Sequence, residues 1–308
     1  MSKKWLIIAS VIVIGCIVVF GGSMLMAKYE TNRYDVKEDY KNIAIAANAA
    51  DIVLAPSENE DTYVVCQEPK NASCYVAVMG DTLQVWLPDP TSWYVRIANI
   101  FHTPKITVYL PQSEYGSFSI LGGTGDVEVP NDFHFESMDI SESTGNVSVC
   151  SSVSNTAKIK AATGNIYIEN ISAGILDLSV STGRITVSDV TCKGAVNANV
   201  TTGETGLTNI TCKSLISSGS TGDITLHNVI AEEKFSINRS TGDITFNCSD
   251  AAEIFAQTDT GDVTGSLLSE KIFLTETDTG SIDVPKTVTG GRCEITTDTG
   301  DIELEIKG

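Results

Sequence analysis

Basic residues are scarce in this 308-residue chain: 20 lysines and arginines face 39 acids, a formal net charge of −19. That balance excludes nucleic acid as a partner, because binding it needs clustered cations. An anionic bilayer surface would repel the same body. Histidine is scarcer still, and His102, His134 and His227 share no common phase, which removes a histidine-based catalytic or zinc cluster. No cysteine pair has the CxxC metal spacing. No serine sits in a nucleophile-elbow context, and no glycine loop could cradle a phosphate. The remaining signal is regularity rather than chemistry.

Ten Thr-Gly pairs recur in steps of 19 or 20 residues, with glycines at Gly125, Gly145, Gly164, Gly183, Gly203, Gly222, Gly242, Gly261, Gly280 and Gly300. A fixed period of that length marks a repeat protein in which each unit is one layer of a stack. Two and four residues after the glycine stand apolar, mostly β-branched residues such as Val147 and Val149, Ile166 and Ile168, or Ile224 and Leu226. Thr205 and Gly265 are the departures. This alternation reads as a strand, and a second alternating segment precedes each Thr-Gly. A short strand pair cannot bury its own apolar face, so the layers must stack. The expected fold is all-β: a β-solenoid, right-handed β-helix-like, of about ten coils of 19–20 residues. Coils about 4.8 Å apart would form a rod on the order of 50 Å long. The rival is an antiparallel meander with Thr-Gly at alternate hairpin tips. Asp or Asn follows the glycine in seven of the ten units, and these side chains are expected to bond nearby amides in their own turns.

The beginning of the chain reads differently. Lys3 and Lys4 precede an uncharged apolar run from Trp5 to Met26, which as a helix spans about 33 Å. The flanking lysines keep the N-terminus inside and export the rest. Continuity favours an uncleaved signal anchor over a signal cleaved near Ser23 or Ala27, or a lipoprotein signal at Cys16. The domains are then a transmembrane anchor, 1–27; a juxtamembrane linker, 28–36; a β capping region on the same axis, 37–121; and the solenoid, 122–308. Within the capping region, 91–101 has roughly helical spacing and would plug the first coil or present aromatics to a partner. The coil ending at Gly308 would be the other edge, guarded by Lys307, with self-association through it expected.

Three Asp-Thr-Gly copies, at Asp259, Asp278 and Asp298, look like aspartic-protease signatures. They are better explained as the repeat turn, since a protease needs two carboxylates converging in one sheltered site. Asp223, Asp243, Asp262 and Asp301 should line one edge, with Asp259, Asp278 and Asp298 beside them. Like charges one strand apart repel, and calcium bound along this edge would relieve them; no other cofactor is expected. Cys192 and Cys212 share a phase and should stack as buried thiols or a bridge, while Cys66 and Cys74 flank a loop and are the next candidates for pairing.

The anchor, the segment Ala50-Asp51-Ile52-Val53-Leu54-Ala55-Pro56-Ser57, the segment Lys105-Ile106-Thr107-Val108-Tyr109-Leu110-Pro111 and the Ser-Thr-Gly-Asp-Ile units together resemble a known family. It is the bacterial membrane-anchored β-strand-repeat proteins of domain-of-unknown-function family 4097, labelled candidate adhesins. The resemblance implies a β-solenoid-like domain outside a bacterial cell membrane and no catalytic residues to carry over. A non-enzymatic cell-surface protein binding an envelope protein or a wall or surface glycan is the expected function. One alternative is a polysaccharide-acting β-helix enzyme, which needs acids clustered with Arg, Lys or His; Arg184 and Arg239 lie on different phases. Another is a structural spacer with no ligand.

Overall fold

The computed structural model describes residues 29–69, 73–88 and 103–307. The expected anchor 1–27 and the 91–101 segment lie outside them. Among the described residues no helix is long and apolar enough to cross a membrane, and the regular elements are strands.

The Thr-Gly turns stack into an all-β solenoid. Before the turn, His134–Thr144 pairs in parallel with Glu114–Thr124 on one side and Ser152–Thr163 on the other. After it, Val147–Val149 pairs in parallel with Val127–Val129 and Ile166–Glu169. The parallel register overturns the meander. Alternation places the apolar positions inside: Val147, Val149, Ile166, Ile168, Ile224 and Leu226 are fully buried.

Why glycine holds the turn is steric. Gly145 has φ +145, and a Cβ there would lie 1.8 Å from the carbonyl oxygen of Gly125 in the layer below. Any side chain would therefore push apart two backbones one layer apart. A second corner, six residues on, uses left-handed Asn170, Asp189, Asn209 and Asn228, with φ between 53 and 56°. Asx residues tolerate that conformation, and here their side chains join layers: Asn209 donates to Asp189 Oδ1 at 2.8 Å and Asn228 to Asn209 Oδ1 at 3.0 Å.

Layer order departs from sequence order at both ends. Asn42–Ala49 and Asp51–Pro56 form the layer beneath the first Thr-Gly unit, pairing with Glu114–Thr124 and Val127–Val129. Beneath them in turn lie the later strands Thr82–Leu87 and Lys105–Leu110. Antiparallel strands then close this end: Thr62–Pro69 on Lys105–Leu110, Tyr29–Val36 on Thr62–Pro69, and Tyr75–Met79 on Thr82–Leu87. The expected cap thus lies only partly on the solenoid axis, and the expected linker contains a strand.

At the other end Gly291–Thr299 and Ile302–Ile306 insert between the layer of Ile244–Thr260 and Val263–Leu267 and the layer of Lys271–Thr279 and Ile282–Asp283. The expected open edge at Gly308 is therefore misplaced. Among the described residues, Lys271–Thr279 and Ile282–Asp283 are the strands paired on one side only at this end. Lys271 secures the exchange: its Nζ lies 2.6 Å from Asp250 Oδ1, with the side chains 3% and 14% exposed. This pair ties the outermost layer to the layer two below it.

Candidate binding groove and buried polar clusters

The outward face of the pre-turn sheet carries two rows of side chains, aligned by parallel register. Near the capped end one row runs Gln84, Ala44, Ser119, Asp139 and the other Trp86, Ala46, Leu121, Ser141. Tyr75 sits opposite Trp86 on the antiparallel strand. Ala44 and Ala46 are too short to fill their places, so a groove of about 570 Å³ opens over them. Trp86 and Tyr75 form one wall and Leu121 the other; all three are exposed, Leu121 to 67%. Asp139, Ser141, Ser119 and Gln84 line the same groove with donors and acceptors. An apolar trough with flat rings on one side and a few polar groups on the other suits a chain-like ligand with both CH faces and hydroxyls.

The edge aspartates are placed by hydrogen bonds between layers, not within turns. Asp223 Oδ1 accepts the Asp243 amide at 2.9 Å, Asp243 Oδ1 the Asp262 amide at 2.8 Å, Asp262 Oδ1 the Asp301 amide at 2.8 Å, and Asp301 Oδ1 the Ser281 amide at 2.7 Å. The Ser281 amide and hydroxyl hold the Asp301 carboxyl below its ordinary range. Asp51, Asp126, Asn146 and Asn165 make the same ladder nearer the cap. Between the two runs, Arg184 and Glu204 pair with each other instead. Asp259, Asp278 and Asp298 stand exposed two residues before their glycines. Among the described residues none of these seven aspartates joins a group of three or more converging ligand atoms.

Cys66, Glu68 and Cys74 do converge. Their ligand atoms lie within 4.8 Å of one another, and all three residues are buried. Glu68 Oε1 accepts from Asn32 Nδ2 at 2.7 Å and Tyr34 OH at 3.2 Å, and Oε2 accepts the Cys74 amide at 2.5 Å. Contact with Cys74 and burial push the Cys66 thiol up. Cys192 and Cys212, expected to stack, are both buried free thiols. Cys192 points its thiol at the Gly174 and Ala195 carbonyls, 3.4 Å away.

Glu142 and Arg239 also face the solenoid interior, and neither was singled out from sequence as an interior group. Glu142 is buried, its Oε1 has no partner, and burial raises its carboxyl to about 7. It occupies space left by Gly122 in the neighbouring layer, where a Cβ would lie 1.6 Å from Glu142 Oε2. Arg239 is 1% exposed and bonds to Asn238 O, Thr205 Oγ1 and Ser217 Oγ at 3.0–3.2 Å. Burial pulls its guanidinium down to about 10, with Asp223 opposing the shift. Thr205, the departure from the apolar column, is thus the acceptor for this arginine. The visible signal was a polar residue three before the glycine, the phase that elsewhere carries Ala161, Val180 and Val200.

The Toastrack DUF4097 family profile matches residues 40–211 and 193–308. A solved structure of a candidate lipid-binding protein from Parabacteroides distasonis is similar at TM-score 0.50, with 16% identity over 90% of this chain and 97% of that one. A candidate adhesin from Bacteroides fragilis is similar at TM-score 0.46 and 17% identity, covering 90% and 97% of the two chains. Another from Parabacteroides distasonis gives TM-score 0.49 and 10% identity over 90% and 98%. No curated protein matches the sequence.

Proposed function

This chain belongs to the Toastrack DUF4097 family, and from that premise we propose that it is a non-enzymatic binding protein of the cell envelope. Residues 1–27 anchor it in the membrane with the N-terminus in the cytoplasm, and the solenoid stands outside the membrane as a rigid body. Its ligand is a neutral glycan chain, received in the groove beside Trp86. One observation carries this reading: two alanines leave a trough between the Tyr75/Trp86 rings and Leu121, with Gln84, Ser119 and Asp139 in the adjoining row. Aromatic faces stack on the CH surfaces of sugar rings, and the amide, hydroxyl and carboxylate bond their hydroxyls. The net charge of −19 disfavours anionic polymers.

The test is retardation of the protein in native gels cast with neutral polysaccharides, including wall-derived glycans stripped of anionic polymers. Retardation by at least one glycan is expected, with loss of about tenfold or more in affinity for Trp86→Ala, which removes a large exposed ring. An unretarded wild type, or a Trp86→Ala protein retarded equally, would sink the reading. Glycan turnover would overturn its non-enzymatic part.

A further inference from the structure

The Cys66, Glu68, Cys74 cluster is built into the capped end and has no part in the groove itself. Its carboxylate is already occupied: three neutral donors, from Asn32, Tyr34 and the Cys74 backbone, hold its two oxygens. One of those bonds draws the Cys74 backbone onto Glu68, next to Cys66. What is left is a pair of thiols, 0% and 5% exposed, unjoined in this structure with their sulfurs within 4.8 Å of each other. A metal would need both thiols as thiolates in a buried site that already holds a carboxylate, plus a fourth ligand. A disulfide needs neither, and it leaves the buried site with no added charge.

We propose that Cys66 and Cys74 form an intramolecular disulfide that clasps the capped end and fixes Tyr75, the next residue, against Trp86. Two S–H bonds break and one Sγ–Sγ bond forms. The two electrons and two protons go to a disulfide oxidant, either a thiol–disulfide exchange protein or a small-molecule disulfide, which leaves as two thiols. Because the folded cluster is closed to reagents, exchange takes place while the cap assembles. The clasp rests on the exported reading above only for the source of this oxidant.

The full chain, purified in detergent and reduced in denaturant, is refolded in a glutathione redox buffer. It is then alkylated in denaturant without reductant and mapped by mass spectrometry. The expected product is a Cys66–Cys74 linked peptide, lighter by two hydrogens, with Cys16, Cys150, Cys192, Cys212, Cys248 and Cys293 alkylated. Hydrogen exchange in the strand Tyr75–Met79 should slow several-fold relative to the Cys66→Ser/Cys74→Ser protein. Full alkylation of Cys66 and Cys74 in the refolded chain overturns the proposal, as does pairing of either with another cysteine. So does protection released by a chelator with a stoichiometric zinc ion. Equal exchange in Tyr75–Met79 removes its second half, the fixing of Tyr75. Protease treatment of intact cells tests the exported reading separately: a protected body there, with a linked pair in the refolded chain, sinks export and leaves the clasp standing.

Discussion

The two ends of the solenoid meet the same physical problem in opposite ways. A stack of parallel layers must stop somewhere, and where it stops it bares strand edges and the apolar column inside. At the end formed by residues 29–69, 75–87 and 105–110, antiparallel strands cover the outer edges of the last parallel layer. Tyr63 stacks on Tyr109 with centroids 4.4 Å apart, and Arg33 lies 3.7 Å above the Tyr63 ring. At the other end the layer of Lys271–Thr279 and Ile282–Asp283 has no such cover. Ile282 is 45% exposed, whereas Ile302 at the same phase one layer in is 0% exposed. The contrast teaches that the repeat supplies the body, while an end needs segments that break the repeat.

Substitutions at equivalent glycines test this contrast most severely. Gly203→Ala puts a Cβ 1.7 Å from the Gly183 carbonyl oxygen at φ +136, in a layer trapped between two others. A loss above about 4 kcal/mol is expected, enough to abolish the cooperative urea transition. Gly280→Ala creates a similar clash, 2.0 Å from Gly300 O, but the outermost layer can peel away. Its expected effect is faster hydrogen exchange confined to 271–284, with the main transition retained. Equal losses at both sites would erase the difference between body and open end.

A smaller effect is expected nearer the capped end, at Glu142. Its carboxyl rises from 4.5 to about 7 through burial, so the folded state favours the neutral acid. That contribution is full below pH 4.5 and is lost as pH rises through 7. Glu142→Gln should therefore gain on the order of 3 kcal/mol at pH 8 and almost nothing at pH 4. Urea midpoints at the two pH values decide it, and a gain independent of pH would contradict the buried ionisation.

The smallest stability change belongs to Ile282→Ser at the open end, under about 1 kcal/mol because the side chain is already half in water. Its expected consequence lies in assembly. The wild-type body should self-associate through this layer at high concentration, and the variant should not. Sedimentation reads both, and a wild type that stays monomeric would remove the bare edge as an association surface.

The body of the fold was legible because its determinants lie a fixed distance apart. Gly145 and Gly164 announce the turn, and Val147 and Ile166 announce the buried column. Layer order was not legible at the open end, because the coils carrying Gly280 and Gly300 are nearly equal in length and a period says nothing of sequence. Pro285 was the available clue: it cannot donate a ladder bond, which suits an outermost strand. The Asx ladder was read as local because side-chain bonds inside turns are common, whereas Asp262 reaches Asp301 in the adjacent, exchanged layer. The groove could not be seen at all. Ala46 meets Trp86 forty residues later and Leu121 seventy-five residues later, and only the register brings them together.

The interleaving of Gly291–Ile306 beneath Lys271–Asp283 bears on how the molecule is made. A solenoid synthesised in order could zip up one coil at a time, each new coil docking on the last. Here the segment 271–284 emerges before the platform on which it rests. It must wait, and a chain cut short in the 280s offers it no seat. Strands that appear later, Gly291–Thr299 and Ile302–Ile306, are thus the ones that fill the wall beneath it. The ordering of the layer above them reports that residues 291–306 have arrived, a check built from nothing more than the order in which two equal coils are stacked.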